Sequence, residues 1–281
     1  MNQFTILITG SNGFLGQALR RLFEKKFNII ATGLGKDRIR HHNHKYIELD
    51  IRNRERSEYV LNKYKPSVII NTAALTNVDQ CEKDQKKCLD INSSSLDYFI
   101  SFSSKKIIHF IQISTDFVFN GLKGKYTEND ICDPINFYGS SKLAAEKKII
   151  DNSLFYTIIR TSLIYGPNGN NFFTRFRNKL ESGINLNIVN DQYRTPTYIS
   201  DLVFSILKII EFKKYGIYHI SSGEYLSIFD IVCNIAKYCK LDVSLINSIN
   251  SGVFSQIAER PTDSSLMIDK AKKDFNFAPT K

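Results

Sequence analysis

Short apolar runs alternate with stretches of helical spacing along the first half of the chain. Residues 4–9 form a nearly continuous apolar run, as a buried parallel strand should. Leu15, Leu19, Leu22 and Phe23 then recur at helical spacing. Residues 28–33 and 46–51 predict a second and third strand, the third ending at Asp50. A helix over 54–63, stopped by Pro66, leads to a fourth strand over 68–74 that ends in small residues. Residues 85–103 read as mostly helical, 107–114 as a fifth strand, 136–146 as the start of a helix, and 155–160 as a sixth strand. Strands and helices alternating at this spacing predict an α/β fold with a doubly wound parallel sheet and right-handed crossovers.

Beyond Gly169 the pattern becomes irregular. Helices are expected over 172–180, 199–212 and 227–239, with Ser227 as a cap, and a short strand over 217–220. The expected organisation is a Rossmann-type dinucleotide-binding domain over 1–165 and a smaller, mixed C-terminal substrate-binding cap over 166–281. A segment around 187–220 would return to the first domain. Substrate would lie between the two.

Between the first strand and the first helix stand Gly10, Gly13 and Gly16 at a G-x-x-G-x-x-G interval. Gly10 lets the chain turn off the strand, Gly13 leaves room for a pyrophosphate, and Gly16 lets helix and sheet pack closely. The helix amino end then offers free N–H groups and a positive dipole to phosphates. Strand, glycine loop and helix in that order are the context this motif requires. The stretch reads as a dinucleotide site.

The second strand ends at Gly33, where NAD-selective folds place an acidic residue for the ribose 2′-hydroxyl. Lys36, Arg38 and Arg40 follow, with Asp37 among them, so NADP(H) is expected over NAD(H). Asp50 would either read an adenine amino group or cap a turn. The fifth strand ends at Ser114-Thr115-Asp116, on the sheet edge where such folds carry their sites. Tyr138 and Lys142 are four apart and share one helical face.

Charge adds a question. The net charge is +10 and the pI about 9.2, yet the lysines are dispersed and no nucleic-acid module is present. A basic surface also suits anionic, phosphate-bearing ligands. Apolar stretches are too short or too interrupted to span a membrane, and the amino end lacks the pattern of a signal peptide. Five cysteines without a C-x-x-C pair read as reduced thiols of a cytoplasmic protein. His41, His42 and His44 lack ligand-spaced partners, so a solvated loop is expected rather than a metal site.

Taken together, the glycine loop, Ser114-Thr115-Asp116 and Tyr138 with Lys142 resemble the extended short-chain dehydrogenase/reductase family. Further segments resemble its dTDP-4-dehydrorhamnose reductase branch, which acts on nucleotide sugars. They include Ala73 to Asp79, Ser114 to Gly121, Tyr138 to Glu146, Arg160-Thr161-Ser162, Asp191-Gln192 with Pro196-Thr197, and Arg260-Pro261 with Ser264. The resemblance implies Tyr138 as proton donor, Lys142 as its partner on the nicotinamide ribose, and Thr115 on the reacting carbonyl, with Ser114 as the alternative. Lys142 would draw the phenol pKa down toward working pH. Gly10, Asn12, Gly13, Phe14, Leu15, Gly16, Asp50, Ile51, Ala73, Ala74 and Asn92 would line the cofactor. Asp116, Leu163 and Arg260 would contact the sugar. Leu163 stands where that branch often has Trp, and Phe117 where it often has Tyr. The sequence stops at Lys281, where relatives usually continue into a closing helix. The expected activity is NADPH-dependent reduction of a keto group on a nucleotide-activated deoxysugar by an oxidoreductase, with no nucleic acid or membrane partner and a homodimer as the assembly. An epimerase or dehydratase of the same family, or a non-catalytic subunit like the regulatory subunit of methionine adenosyltransferase, would share the fold.

Overall fold

Seven strands, each carrying the apolar runs described above, form one parallel sheet. They are β1 (Thr5–Thr9), β2 (Asn28–Gly33), β3 (Lys45–Glu48), β4 (Val68–Asn71), β5 (His109–Thr115), β6 (Tyr156–Thr161) and β7 (Gly216–His219). The structure is a computed structural model and describes residues 4–153, 155–253 and 256–280; Lys281 lies outside them. Spatial order is β7-β6-β5-β4-β1-β2-β3, so the winding reverses between β1 and β4, where open α/β sheets bind ligands. The strands are buried on both faces because helices cover both. On one side α1 (Phe14–Phe23) and α8 (Ile199–Glu211) bring Leu19, Phe23, Leu202 and Ile206 against Ile6 and Ile8. On the other, α2 (Arg54–Tyr64), α5 (Asp97–Lys106) and α6 (Phe137–Asn152) bring Leu61, Phe99 and Ile149 against Leu7 and Phe110.

A second core holds the cap together. In it α7 (Phe172–Glu181) and α9 (Ile228–Cys239) pack Phe176, Leu180, Val232 and Ala236 around the paired strands Leu186–Val189 and Ile246–Ile249. β7 pairs with β6, and α8 lies on α1, so this later part of the chain joins the main sheet.

Several elements differ from expectation. β3 stops at Glu48 because β2 ends at Gly33; the Leu49 amide donates to the Gly33 carbonyl and no partner exists beyond it. The segment 85–103 is mostly helical as expected, but in pieces: α4 (Gln85–Asn92), a 3₁₀ turn over Ser94–Leu96, and then α5. Ser95 Oγ donates to the Ile91 carbonyl at 2.8 Å, the local competition by which serines interrupt helices. A short helix, α3 (Val78–Lys83), was not expected; Asn77 caps it by accepting from the Gln80 amide. Another, α10 (Asp269–Phe275), packs Phe275 into the main core.

At the crossover the exits of β1 and β4 touch. Gly10 has φ +64°, and a Cβ there would lie 2.5 Å from the Ala73 amide nitrogen. Gly10→Ala is therefore expected to cost ~2 kcal/mol or more of folding stability. Denaturant unfolding checks this, and a loss near zero would mean that the two exits do not meet.

Candidate functional site

A cleft of about 550 Å³ opens over the carboxyl ends of β1, β4 and β5 and under the cap. Its floor is the glycine loop. α1 starts at Phe14 with Gly13 as its cap residue and without a side-chain cap, so its first amides are open toward the cleft. A Cβ at Gly16 would fall 2.5 Å from Ser11 Cα, and one at Gly13 would fall 3.1 Å from the Gly10 carbonyl oxygen. The bare backbone fits an approaching pyrophosphate.

The opposite wall carries the titratable groups. Asn136 caps α6 by accepting from the Gly139 amide, and Glu82 accepts from the Phe137 amide, so the first turn is held from two sides. Gly139 lets that turn lie directly on β5's exit, because a Cβ there would fall 2.1 Å from the Phe117 carbonyl oxygen. This close approach places Tyr138 and Thr115 together on the cleft wall; the Thr115 hydroxyl donates to Asp116 Oδ1 at 3.2 Å. Burial pushes the Tyr138 phenol above its ordinary pKa, and the Asp116 charge adds to this, while the Thr115 hydroxyl opposes it. The expected lowering by Lys142 is therefore corrected. Lys142 is 3% exposed, and its Nζ donates to the Ile113 carbonyl at 2.6 Å instead of pairing with the phenol. Burial lowers its pKa to about 8, against the raising effect of Glu146.

Ser114 also lines the cleft. Its hydroxyl donates at 2.5 Å to Glu146 Oε1, and Glu146 is also bound by Arg160, whose Nη2 lies 2.7 Å from Oε2. Glu146 and Arg160 are buried at 0% and 3% exposure. Tyr138, Lys142 and Glu146 thus form one face of α6, with the last member bolting the helix to β5 and β6.

Of the expected cofactor residues, Gly13, Phe14, Leu15, Gly16, Ala74, Tyr138 and Lys142 line the cleft. The others sit behind it. Gly10 and Ala73 pack on each other. Asn12 donates to the Leu34 and Lys36 carbonyls at 2.9 and 3.0 Å and accepts from the Arg38 amide at 3.1 Å, tethering the loop after β2. Asn92 clips the β4 exit, accepting from the Leu75 amide at 2.8 Å and donating to Ser141 Oγ at 2.9 Å. Asp50 caps the turn, its carboxylate taken by the Arg52 amide and guanidinium at 2.9 and 2.6 Å, with Ile51 buried beside it.

Among the expected sugar contacts, Thr115, Asp116 and Leu163 line the cleft. The Asp116 carboxylate, however, is turned inward: it accepts from Ser162 at 2.9 Å and from Ser264, with Arg194 Nε 3.7 Å away. Burial raises its pKa, opposed by Arg194 and the serines. Leu163 has φ +39°, an uncommon conformation for a branched residue, and faces both this cleft and a second, aromatic-lined cavity of about 410 Å³. Arg260 is not at the cleft wall; its Nη1 donates to Asp79 Oδ1 at 2.6 Å, joining the late loop to α3. Arg175, one turn into α7, was missed. It lines the cleft, lies 5.1 Å over the Phe176 ring, and has no ion-pair partner among the described residues. The helical spacing of 172–180 could have flagged it as a cation on the cap's facing surface.

The RmlD substrate binding domain family matches residues 4–281. The chain belongs to that family. It is 32% identical to a protein of Aggregatibacter actinomycetemcomitans named dTDP-4-dehydrorhamnose reductase, over 98% of this chain and 94% of that one. It is 28% identical to rat methionine adenosyltransferase 2 subunit beta, over 94% of this chain and 80% of that one. A dTDP-4-dehydrorhamnose reductase from Bacillus anthracis, solved in complex with NADP, superposes with a TM-score of 0.89 at 30% identity, covering 99% of this chain and 95% of that one.

Removing one member of a buried ion pair leaves the other uncompensated. Glu146→Gln is expected to cost about 3 kcal/mol of stability by that principle. Chemical denaturation measures it; a loss below ~1 kcal/mol would show that the bolt carries little.

Proposed function

We propose that the protein reduces a keto group on a nucleotide-activated deoxysugar with NADPH. The observation that carries the reading is the placement of Tyr138, Thr115 and Lys142 together on the cleft wall opposite the glycine loop. A bound reduced nicotinamide supplies the hydride. The residues of this chain hold the carbonyl and manage the proton. Thr115 orients the carbonyl oxygen, an effect of position. Tyr138 is protonated at neutral pH and can give that proton to the developing oxyanion. Lys142, with a pKa of about 8, is still charged at neutral pH and one turn from Tyr138, where it would bind the nicotinamide ribose. Arg175 supplies a positive charge for the diphosphate of the substrate.

NADPH over NADH rests on the loop after β2. Lys36, Arg38 and Arg40 are exposed there, and none forms an ion pair among the described residues. Asp37 carries no free charge, being bound by Arg20. A partner-binding role without turnover is the second reading, favoured by the likeness to the methionine adenosyltransferase subunit.

Tyr138→Phe keeps the ring and its packing, so kcat is expected to fall by on the order of 10²–10⁴ with cofactor affinity nearly unchanged. Lys142→Met should lower kcat and also weaken the cofactor, and the two losses should not add. Turnover of 4-keto-6-deoxy nucleotide sugars by both variants is the measurement. A Tyr138→Phe enzyme within a few-fold of wild type would bring the partner-binding role forward. For the cofactor, Gly33→Asp is expected to reverse the NADPH preference by repelling the 2′-phosphate; a wild type that uses NADH equally well would refute it.

A further inference from the structure

Arg20 is an unusual resident of α1: a fully buried guanidinium on the face toward the loop after β2. Its Nη2 donates to Asp37 Oδ2 at 2.6 Å and its Nε to His44 Nε2 at 2.7 Å. The guanidinium lies 5.5 Å from the centre of the Tyr46 ring. Asp37 is held by more than this pair. His42 Nε2 lies 2.7 Å from the same Oδ2, and Oδ1 accepts the Ile39 amide at 3.0 Å. His42 and His44 stack at 4.0 Å, and Glu24 lies 3.2 Å from His44 Nδ1. Burial raises the Asp37 pKa, but the Arg20 hydrogen bond and the Ile39 amide outweigh it and hold it at about 2. Asp37, His42 and His44 bring donor atoms within 4.8 Å of one another, as a metal site would. Arg20 argues against that use, because its N–H groups already occupy Asp37 Oδ2 and His44 Nε2 and place a positive charge among them.

The position of Asp37 gives the cluster another meaning. An acidic side chain just past the second strand is what selects a ribose 2′-hydroxyl and repels a 2′-phosphate. Here the acid is present, four residues beyond Gly33, but Oδ2 is held by Arg20 of α1 and Oδ1 by the Ile39 amide of its own loop. Lys36, Arg38 and Arg40 on the same loop stay exposed. We infer that Arg20 is a positioning residue for cofactor choice: it holds the Asp37 carboxylate away from the adenosine ribose and so leaves the loop cationic toward a 2′-phosphate. The inference rests on the NADPH reading of the preceding section and names the residue that enforces it.

The test is the ratio of NADPH to NADH affinity, measured by titration calorimetry on the whole protein. In Arg20→Met the freed carboxylate should weaken NADPH by on the order of tenfold while NADH changes by less than about twofold. Adding Asp37→Asn in the same chain should restore the wild-type ratio, and kcat at saturating NADPH should be retained. Equal weakening of both cofactors, or no rescue in the double variant, would overturn the proposal and leave Arg20 a purely structural residue. Should Arg20→Met not fold, Arg20→Lys is read instead. A lysine gives Asp37 one point charge and cannot fork to His44, so the ratio should fall by on the order of threefold; an unchanged ratio overturns the proposal. Because the readout is a change between variants, a wild type that prefers NADH would refute the cofactor assignment and not the hold of Arg20 on Asp37.

Discussion

The carboxylate of Glu146 joins three elements that the site requires in register. It belongs to α6, accepts the Ser114 hydroxyl at the end of β5, and is forked by Arg160 from β6. A buried charge is costly unless paired and hydrogen-bonded, and here both oxygens are used. Without that link, α6 could slide along the sheet. Tyr138 lies two turns back on the same helix, so any slide would carry the phenol away from Thr115. Gly139 supplies the matching constraint from the other end, since the helix rests on the Phe117 carbonyl where no side chain could fit. The placement of Tyr138 near Thr115 is thus set from both sides by Glu146 and Gly139, which do not themselves line the cleft.

Much of this was legible in the chain. The glycine loop, the strand–helix alternation and the Tyr138–Lys142 spacing depend on local order, and local order is what a sequence displays. Thr115 against Ser114 was not decidable that way. The two hydroxyls differ through distant and local partners: Ser114 donates to Glu146, 32 residues away, and Thr115 to the adjacent Asp116. Lys142 shows the same limit, because its nearest partner is a main-chain carbonyl and no residue type announces that. Asp116 and Arg260 looked available for sugar, yet their partners, Ser264 and Asp79, lie 148 and 181 residues away. The Asp50 turn was a different case. Arg52 stands two residues on, so the cap was visible beside the adenine alternative.

The charge balance also takes on a location. A net +10 spread along the chain says little by itself, but two places on the structure concentrate its meaning. The loop after β2 presents Lys36, Arg38 and Arg40, and the cap presents Arg175 over the cleft. Acids near the first of these are withdrawn rather than missing: Asp37 is folded back under Arg20. Exposed cations at these places would attract doubly phosphorylated ligands.

Asn12 sits at the junction of the cleft floor and that loop. One amide side chain grips two carbonyls and one amide of the loop while its own backbone belongs to the glycine turn after β1. The two recognition surfaces are therefore mechanically one part. A change at Asn12 would loosen the turn after β1 and the loop after β2 together.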